Sequence, residues 1–171
     1  MNERKGVTLD ELLASREQRW HKQMMLVHEH PTLTLVCLTV IMPGNVKRNA
    51  QSLVVAKAAV EAMREQFGES IHSLEESDLN TGYEAFLMTS LPLHDAKRLA
   101  CHIEDTHPLG RLFDIDVIDR KANPLGRDTL GLPPRRCLLC DHEARYCMRN
   151  HSHTPQELQC HIDQMIRDYV Q

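Results

Sequence analysis

The spacing of apolar and polar positions predicts alternating strands and helices between residues 33 and 119. The stretch LTLVCLTVIM is apolar on both faces and rich in β-branched residues, which is typical of a central strand. The pattern predicts six elements: a strand at 33–42, a helix at 49–67, strands at 70–77 and 83–90, a helix from Pro92 to Pro108, and a strand at 112–118. This β-α-β-β-α-β order predicts an α+β, ferredoxin-like fold, with an antiparallel sheet and both helices on one face.

Further segments flank this core within one predicted domain. Thr8 and Glu11 have the spacing of a capping box at the start of a helix. Thr154, Pro155 and Glu157 mark the start of another helix near the C-terminus. The predicted domain, 1–171, therefore comprises an N-terminal helix at 8–30, an α+β core at 33–119, an irregular Cys/Arg-rich segment at 120–153 that wraps the sheet, and a C-terminal helix at 154–171.

Two aspartates interrupt the last predicted strand. Phe113, Ile115 and Val117 share one face and are expected to pack under the helices. Asp114 and Asp116 then lie on the opposite face, which the two core helices leave uncovered. Carboxylates about 7 Å apart along a strand suit a hard cation such as Mg²⁺, which neutralises polyphosphates in phosphoryl-transfer sites. The alternative is a solvated sheet face that happens to carry two aspartates.

Arg111 lies just before this strand, and Arg127, Arg135 and Arg136 lie in the segment that follows it. A guanidinium donates two parallel hydrogen bonds to a phosphate, so each is a candidate phosphate ligand. Ordinary surface charge is the alternative for any one of them. The adjacent pair, Arg135 and Arg136, follows two prolines and directly precedes a group of cysteines.

The cysteines of the 120–153 segment have the spacing of metal ligands. Cys137, Cys140 and Cys147 form a C-x2-C-x6-C pattern, and His153 follows. Thiolates and an imidazole in such a set suit tetrahedral Zn²⁺, which would be structural because four protein ligands leave no open position. Free thiols packed in the core are the alternative.

Composition narrows the classes of partner. The net charge is −4 and aromatic residues make up only 4%, so the sequence offers neither the basic surface nor the aromatic residues of a nucleic-acid binder. The longest apolar run is too short to span a bilayer, and the first residues do not resemble a signal peptide. We therefore expect a cytoplasmic protein whose six cysteines are thiols or metal ligands.

Two motifs together resemble a known family. The stretches HPLGRLFDIDVID and LPPRRCLLCDHEARYCMRNHSH are similar to the apo-citrate lyase phosphoribosyl-dephospho-CoA transferases, also called holo-citrate lyase synthases. The stretch ELLASREQRWHKQ resembles the N-terminal helix of that family, so the similarity covers nearly the whole chain. The resemblance implies a nucleotidyltransferase-type enzyme. Its substrate would be 2′-(5-triphosphoribosyl)-3′-dephospho-CoA, and its partner the acyl carrier (gamma) subunit of citrate lyase, whose serine receives the phosphoribosyl-dephospho-CoA group as pyrophosphate leaves.

The resemblance also implies roles for individual residues. Asp114 and Asp116 would hold Mg²⁺ and act with Arg111 in catalysis. The substrate-binding residues implied are Arg135, Arg136, Arg127, Arg16, Arg19 and Gln23, the last three on one side of the N-terminal helix. A solvated helix face is the alternative for that side. The alternative function is that of a non-catalytic binding module stabilised by zinc. Such a module would bind one zinc ion and would not bind the triphosphate.

Overall fold

A computed structural model describes residues 5–171, so the first four residues of the predicted domain lie outside the described part of the chain. Within it the helices are α1 (Leu9–Glu29), α2 (Ala50–Phe67), α3 (Leu93–Thr106), α4 (Ala144–Asn150) and α5 (Pro155–Val170). The strands are β1 (Thr34–Val40), β2 (Ile71–Leu79), β3 (Gly82–Thr89) and β4 (Phe113–Ile118). No helix among these is both long and apolar enough to cross a membrane.

The four strands form one antiparallel sheet in the order β2-β3-β1-β4. The α+β class is therefore confirmed, and from β1 to β4 the elements follow the predicted β-α-β-β-α-β order. The strand β1 is central and fully paired, which explains why Leu35, Val36, Cys37 and Leu38 are all buried.

One face of the sheet carries the main core. Phe113, Ile115 and Val117 point into it from β4, as the alternation predicts. The helices α2 and α3 both pack on this face, and Ile162 and Ile166 of α5 extend the same cluster. Both core helices therefore lie on one side of the sheet, as expected.

The opposite face is not open, which corrects the sequence-based expectation. Helix α1 packs against it through Leu26 and Val27, which join a second apolar cluster on that face. The other buried members of this cluster are Leu35, Cys37, Phe86, Met88, Ile118 and Ala122. The pattern of the core alone could not show this, because the covering residues come from a helix outside the β-α-β-β-α-β unit.

Local signals in the sequence fix the ends of the outer helices. The Thr8 hydroxyl accepts a hydrogen bond from the backbone N–H of Glu11, and the Glu11 carboxylate accepts one from the N–H of Thr8. Thr154 and Glu157 form the same reciprocal pair at the start of α5. Both helix starts are therefore where the capping boxes place them.

The 120–153 segment is more ordered than predicted. It contains a 3₁₀ turn at Arg127–Leu130 and the short helix α4. This helix ends where His151 adopts a left-handed conformation with φ +48°. The prediction of an irregular segment did not include this helix, because a seven-residue helix has too few turns to show a periodic pattern.

Candidate functional site

The two aspartates lie at the polar end of the sheet face that α1 covers. The strand register places Thr39 between Glu84 of β3 and Asp114 of β4. The next row on the same face places Asp116 beside Cys37. The Thr39 hydroxyl donates to Asp114 Oδ2 at 3.3 Å. Both aspartates are half-buried, so they share a sheltered but accessible patch with a third carboxylate.

Helix α1 brings polar side chains to this patch. Arg19 Nη1 lies 2.8 Å from Oε1 of the buried Glu84. Gln23 Nε2 donates to the Cys37 sulfur at 3.4 Å, directly beside the second aspartate in the register. The structure thus brings Arg19 and Gln23 to the same sheet face as the aspartates. Arg16 forms no ion pair within residues 5–171.

Burial and the neighbouring charge of Asp114 disfavour ionisation of Asp116. Burial is the main reason that the pKa of Asp116 rises to about 6, and the charge of Asp114 raises it further. Lys97 and Arg19 act in the opposite direction. A divalent cation would relieve this repulsion, and carboxylate oxygens are the ligands that Mg²⁺ prefers. The donor set therefore fits such an ion.

Two of the predicted phosphate ligands already have partners within the protein. Arg127 forms ion pairs with Glu104 at 2.7 Å and with Asp105 at 3.0 Å. Arg135 donates to backbone carbonyl groups on and before β4. Arg135 Nε is buried and has no partner among the described residues. Both guanidiniums are therefore held by the protein, and neither is presented freely to solvent.

The other two arginines near β4 are less engaged. Arg111 forms no ion pair within residues 5–171, and burial lowers its pKa, as do the nearby charges of Arg135 and Arg127. The side chain of Arg136 is 75% exposed and lies 3.8 Å from Asp141. Arg111 is thus the half-buried cation that an incoming anion would most stabilise.

Three charged residues that act on or lie beside the predicted ones were not predicted from the sequence. Glu84 shares its strand face with Phe86 and Met88, so an acid in an otherwise apolar row was a usable signal. Lys97 of α3 is buried, makes no ion pair within the described residues, and its charge acts to lower the pKa of Asp116. Lys47 has its pKa lowered by burial and by the charge of Arg16. No sequence pattern marked the two lysines.

The predicted zinc ligands come together in space. The candidate ligand atoms of Cys137, Cys140, Cys147 and His153 all lie within 4.8 Å of one another. Cys140 and Cys147 have their sulfurs 3.4 Å apart, and His153 Nε2 is buried without a partner among the described residues. A tetrahedral site with bonds of about 2.0–2.3 Å has similar dimensions. This cluster can hold a metal ion.

A small hairpin explains how the first two cysteines meet. Cys137 N–H donates to the His142 carbonyl at 2.7 Å, and Ala144 N–H donates to the Arg135 carbonyl at 2.8 Å. Although burial opposes ionisation of Cys137, backbone N–H groups of Leu139 and Cys140 donate to its sulfur and hold its pKa at about 7. These contacts favour the thiolate form that a metal requires.

Two shallow grooves lie elsewhere on the surface, along α5 and beside the turn at Pro43 and Gly44. Neither is lined by the aspartates. The chemistry of the side chains therefore locates the candidate site better than the depth of the surface does.

Fold and site together define an α+β protein with a half-buried carboxylate pair on the sheet face that Arg19 of α1 reaches, and a separate Cys/His cluster that could hold a metal ion. A family model for apo-citrate lyase phosphoribosyl-dephospho-CoA transferase matches residues 7–169. The chain belongs to this family.

Curated relatives agree with that assignment. A Vibrio cholerae protein named probable apo-citrate lyase phosphoribosyl-dephospho-CoA transferase is 39% identical over 168 residues, which cover 96% of this chain and 94% of the relative. An Escherichia coli protein with that name, without the word probable, is 33% identical over 166 residues, or 95% and 90% of the two chains. A Streptococcus pyogenes protein named as the probable enzyme is 32% identical over 168 residues, or 96% and 88%. The resemblance found in the sequence is confirmed.

Proposed function

We propose that this chain transfers the phosphoribosyl-dephospho-CoA group from 2′-(5-triphosphoribosyl)-3′-dephospho-CoA to a serine of the citrate lyase acyl carrier subunit. The observation that carries the proposal is the half-buried pair Asp114 and Asp116, on the sheet face that Arg19 reaches, in a member of this family. None of the six cysteines, all within residues 5–171, forms a disulfide, which suits a cytoplasmic setting for this reaction.

The reaction is a displacement at phosphorus. The serine oxygen of the carrier forms a bond to the α-phosphorus of the triphosphate, and the bond to the bridging oxygen breaks. That oxygen leaves with its electron pair as part of pyrophosphate, and the serine proton passes to a base. Since the nucleophile belongs to the carrier, the chain has to supply alignment, charge neutralisation and proton transfer rather than a nucleophile of its own.

The aspartates hold the cation in this proposal. Asp114 and Asp116 would bind Mg²⁺, which when present offsets the charge of the triphosphate. Asp116 is ionised above its pKa of about 6, so its carboxylate is available to a cation at neutral pH.

Basic side chains bind the phosphates in this proposal. Arg111 is the principal candidate because it is half-buried and forms no ion pair within residues 5–171. Arg16 likewise lacks an ion-pair partner there, and its charge contributes, after burial, to the lowered pKa of Lys47. Two cations near enough to affect each other suit a polyphosphate. Arg19, Gln23 and Arg136 remain proposed substrate contacts.

The Cys/His cluster binds a structural zinc ion in this proposal. Three sulfurs and one imidazole nitrogen are soft and intermediate ligands of the kind zinc selects. The cluster joins the hairpin at 135–144 to α4 and to the start of α5, where few apolar side chains are buried. A metal would supply the cohesion that such a loop-rich region lacks.

Carrier-dependent release of pyrophosphate tests the proposal. The purified protein is incubated with the triphosphate precursor and Mg²⁺, with or without the apo carrier subunit. Pyrophosphate should appear only when the carrier is present, and Asp114→Asn should slow its release. A folded, metal-replete protein that releases none would contradict the proposal and favour a zinc-stapled binding module.

A further inference from the structure

The strand that carries the aspartates lies at the edge of the sheet. Strand β4 is the last in the sheet order and has β1 as its one neighbouring strand among the described residues, so one row of its backbone groups points away from the sheet. At the far end of this row the Val117 carbonyl accepts from Leu125 N–H at 2.8 Å. Buried backbone groups need hydrogen-bond partners, and an exposed edge invites slippage or pairing with another chain. The partners of this edge therefore decide how firmly the strand is held.

Two charged side chains bind the outward backbone groups on either side of the first aspartate. Arg135 Nη1 donates to the Phe113 carbonyl at 2.8 Å, and Arg135 Nη2 donates to the Gly110 carbonyl at 3.0 Å. The Ile115 N–H donates to Glu104 Oε1 at 2.8 Å. The nearest guanidinium and carboxylate atoms of Arg135 and Glu104 are 3.7 Å apart. Together they form one clamp across the edge.

The clamp is largely buried, and each of its two residues makes a further hydrogen bond within the protein. The Glu104 side chain is 4% exposed, and its second oxygen accepts from Arg127 Nη2 at 2.7 Å. The carbonyl of Arg135 accepts from Ala144 N–H, which fixes this residue at the base of the cysteine hairpin. Buried charges of this kind contribute little net stability compared with apolar residues of similar size. We therefore infer that these buried charges fix the geometry of the strand rather than stabilise the fold.

We propose that Glu104 and Arg135 are positioning residues for the reaction. They hold the backbone on both sides of Asp114 and so set the direction in which the two aspartate side chains point. Arg135 acts through the strand and does not touch the phosphates, which differs from the role implied by its place in the sequence motif. This inference rests on the proposed function, since it assigns the aspartates to the transfer.

The two roles of Arg135 predict different kinetics. Losing a phosphate ligand weakens binding of the triphosphate and raises its KM. Losing a residue that orients metal ligands lowers metal affinity or rate about 10- to 100-fold. The Mg²⁺ concentration for half-maximal transfer, the kcat and the KM for the triphosphate therefore distinguish them.

The test compares Arg135→Met and Arg135→Lys with Arg98→Met. Arg98 is a matched control because it is an exposed arginine on α3, paired only with Asp95 three residues earlier. We expect Arg135→Met to lower kcat about 10- to 100-fold and to raise the Mg²⁺ requirement, with a nearly unchanged KM for the triphosphate. Arg135→Lys should recover part of the loss, because an ammonium can still bind one of the two carbonyls. Arg98→Met should behave as the unaltered protein.

Hydrogen exchange of the peptide at 112–118 tests the clamp without any substrate. Exchange should be faster in Arg135→Met, while the peptide of β2 and β3 at 71–89 keeps its protection. A raised KM with normal kcat, or normal kinetics in a merely less stable protein, would overturn the proposal. If the unaltered protein transfers nothing, the proposed function fails, and unchanged exchange at 112–118 would separately overturn the clamp.

Discussion

Replacing Asp116 by asparagine should stabilise the protein at neutral pH and remove its activity. The amide resembles the protonated carboxyl group in shape and charge. The structure raises the pKa of Asp116 from 3.8 to about 6, because the group is buried beside Asp114. A difference of about two pKa units corresponds to about 3 kcal/mol of unfolding free energy. For a chain of this size that would raise Tm on the order of 10 °C.

The pH dependence makes this prediction specific. Between pH 3.8, the ordinary pKa of the Asp116 carboxyl group, and about 6, its pKa in the folded protein, the folded protein binds more protons than the unfolded chain. The free energy of unfolding therefore falls as pH rises through this range, because Asp116 becomes ionised in its buried position. The increase in unfolding free energy caused by Asp116→Asn should therefore be complete at pH 8, become smaller as pH falls below 6, and vanish near pH 3 to 4.

The assay is urea unfolding at several pH values in Mg²⁺-free buffer without chelator, so that the cysteine cluster keeps any bound metal. Asp141→Asn is the control, since the Asp141 side chain is fully exposed. It should change stability by no more than about 0.5 kcal/mol. An Asp116→Asn protein that is less stable than the unaltered protein at pH 8, or whose gain does not depend on pH, would refute the reasoning.

Three further predictions concern the neighbouring residues. Asp114→Asn should slow transfer by orders of magnitude, and it should lower the pKa of Asp116 from about 6, because the neighbouring charge is gone. Transfer rates and an NMR titration of the carboxyl groups check these two effects, and a near-normal rate would mean that Asp114 is structural. Phe113→Ala, on the fully buried side of the same strand, should cost on the order of 3 kcal/mol in urea unfolding without altering the Mg²⁺ requirement; a specific loss of metal dependence would contradict the division between the two faces. Elemental analysis of the purified protein should find about one zinc ion per chain. Cys147→Ser should increase hydrogen exchange at 135–153 while the strands of the sheet keep their protection. Absence of zinc from protein prepared without chelators would exclude the zinc assignment.

Local patterns predicted the elements well. The alternation around Asp114 placed Phe113 in the core. The capping boxes at Thr8 and Thr154 located two helix starts. These features depend on residues within three or four positions of each other, which is the range over which periodicity and capping act.

Contacts between distant segments could not be predicted in the same way. Arg135 was expected to bind phosphate, yet its acceptors in the protein are carbonyl groups 22 and 25 positions earlier. Nothing in a guanidinium's neighbourhood along the chain says whether it will meet a phosphate or a backbone carbonyl, since both accept hydrogen bonds. The covering of the aspartate face by Leu26 and Val27 was missed for the same reason.

The cysteine cluster depends both on a local pattern and on a contact between more distant residues. Spacing alone grouped Cys137 with Cys140, because a C-x2-C turn brings its ends together. Cys147 and His153 join them only because α4 forms and ends before the last ligand. The four residues therefore lie together as their grouping in the sequence predicted, whereas the helix that assembles them was not predicted.

The mass of the acyl carrier subunit tests the central claim most directly. The purified protein is incubated with the apo carrier, the triphosphate precursor and Mg²⁺, and the carrier is then weighed by intact mass spectrometry. The carrier should gain the mass of one phosphoribosyl-dephospho-CoA group, and the gain should be lost when Mg²⁺ is omitted or when both Asp114 and Asp116 are replaced by asparagine. A carrier of unchanged mass with the folded, metal-replete protein, or an equal gain with the double variant, would contradict the account.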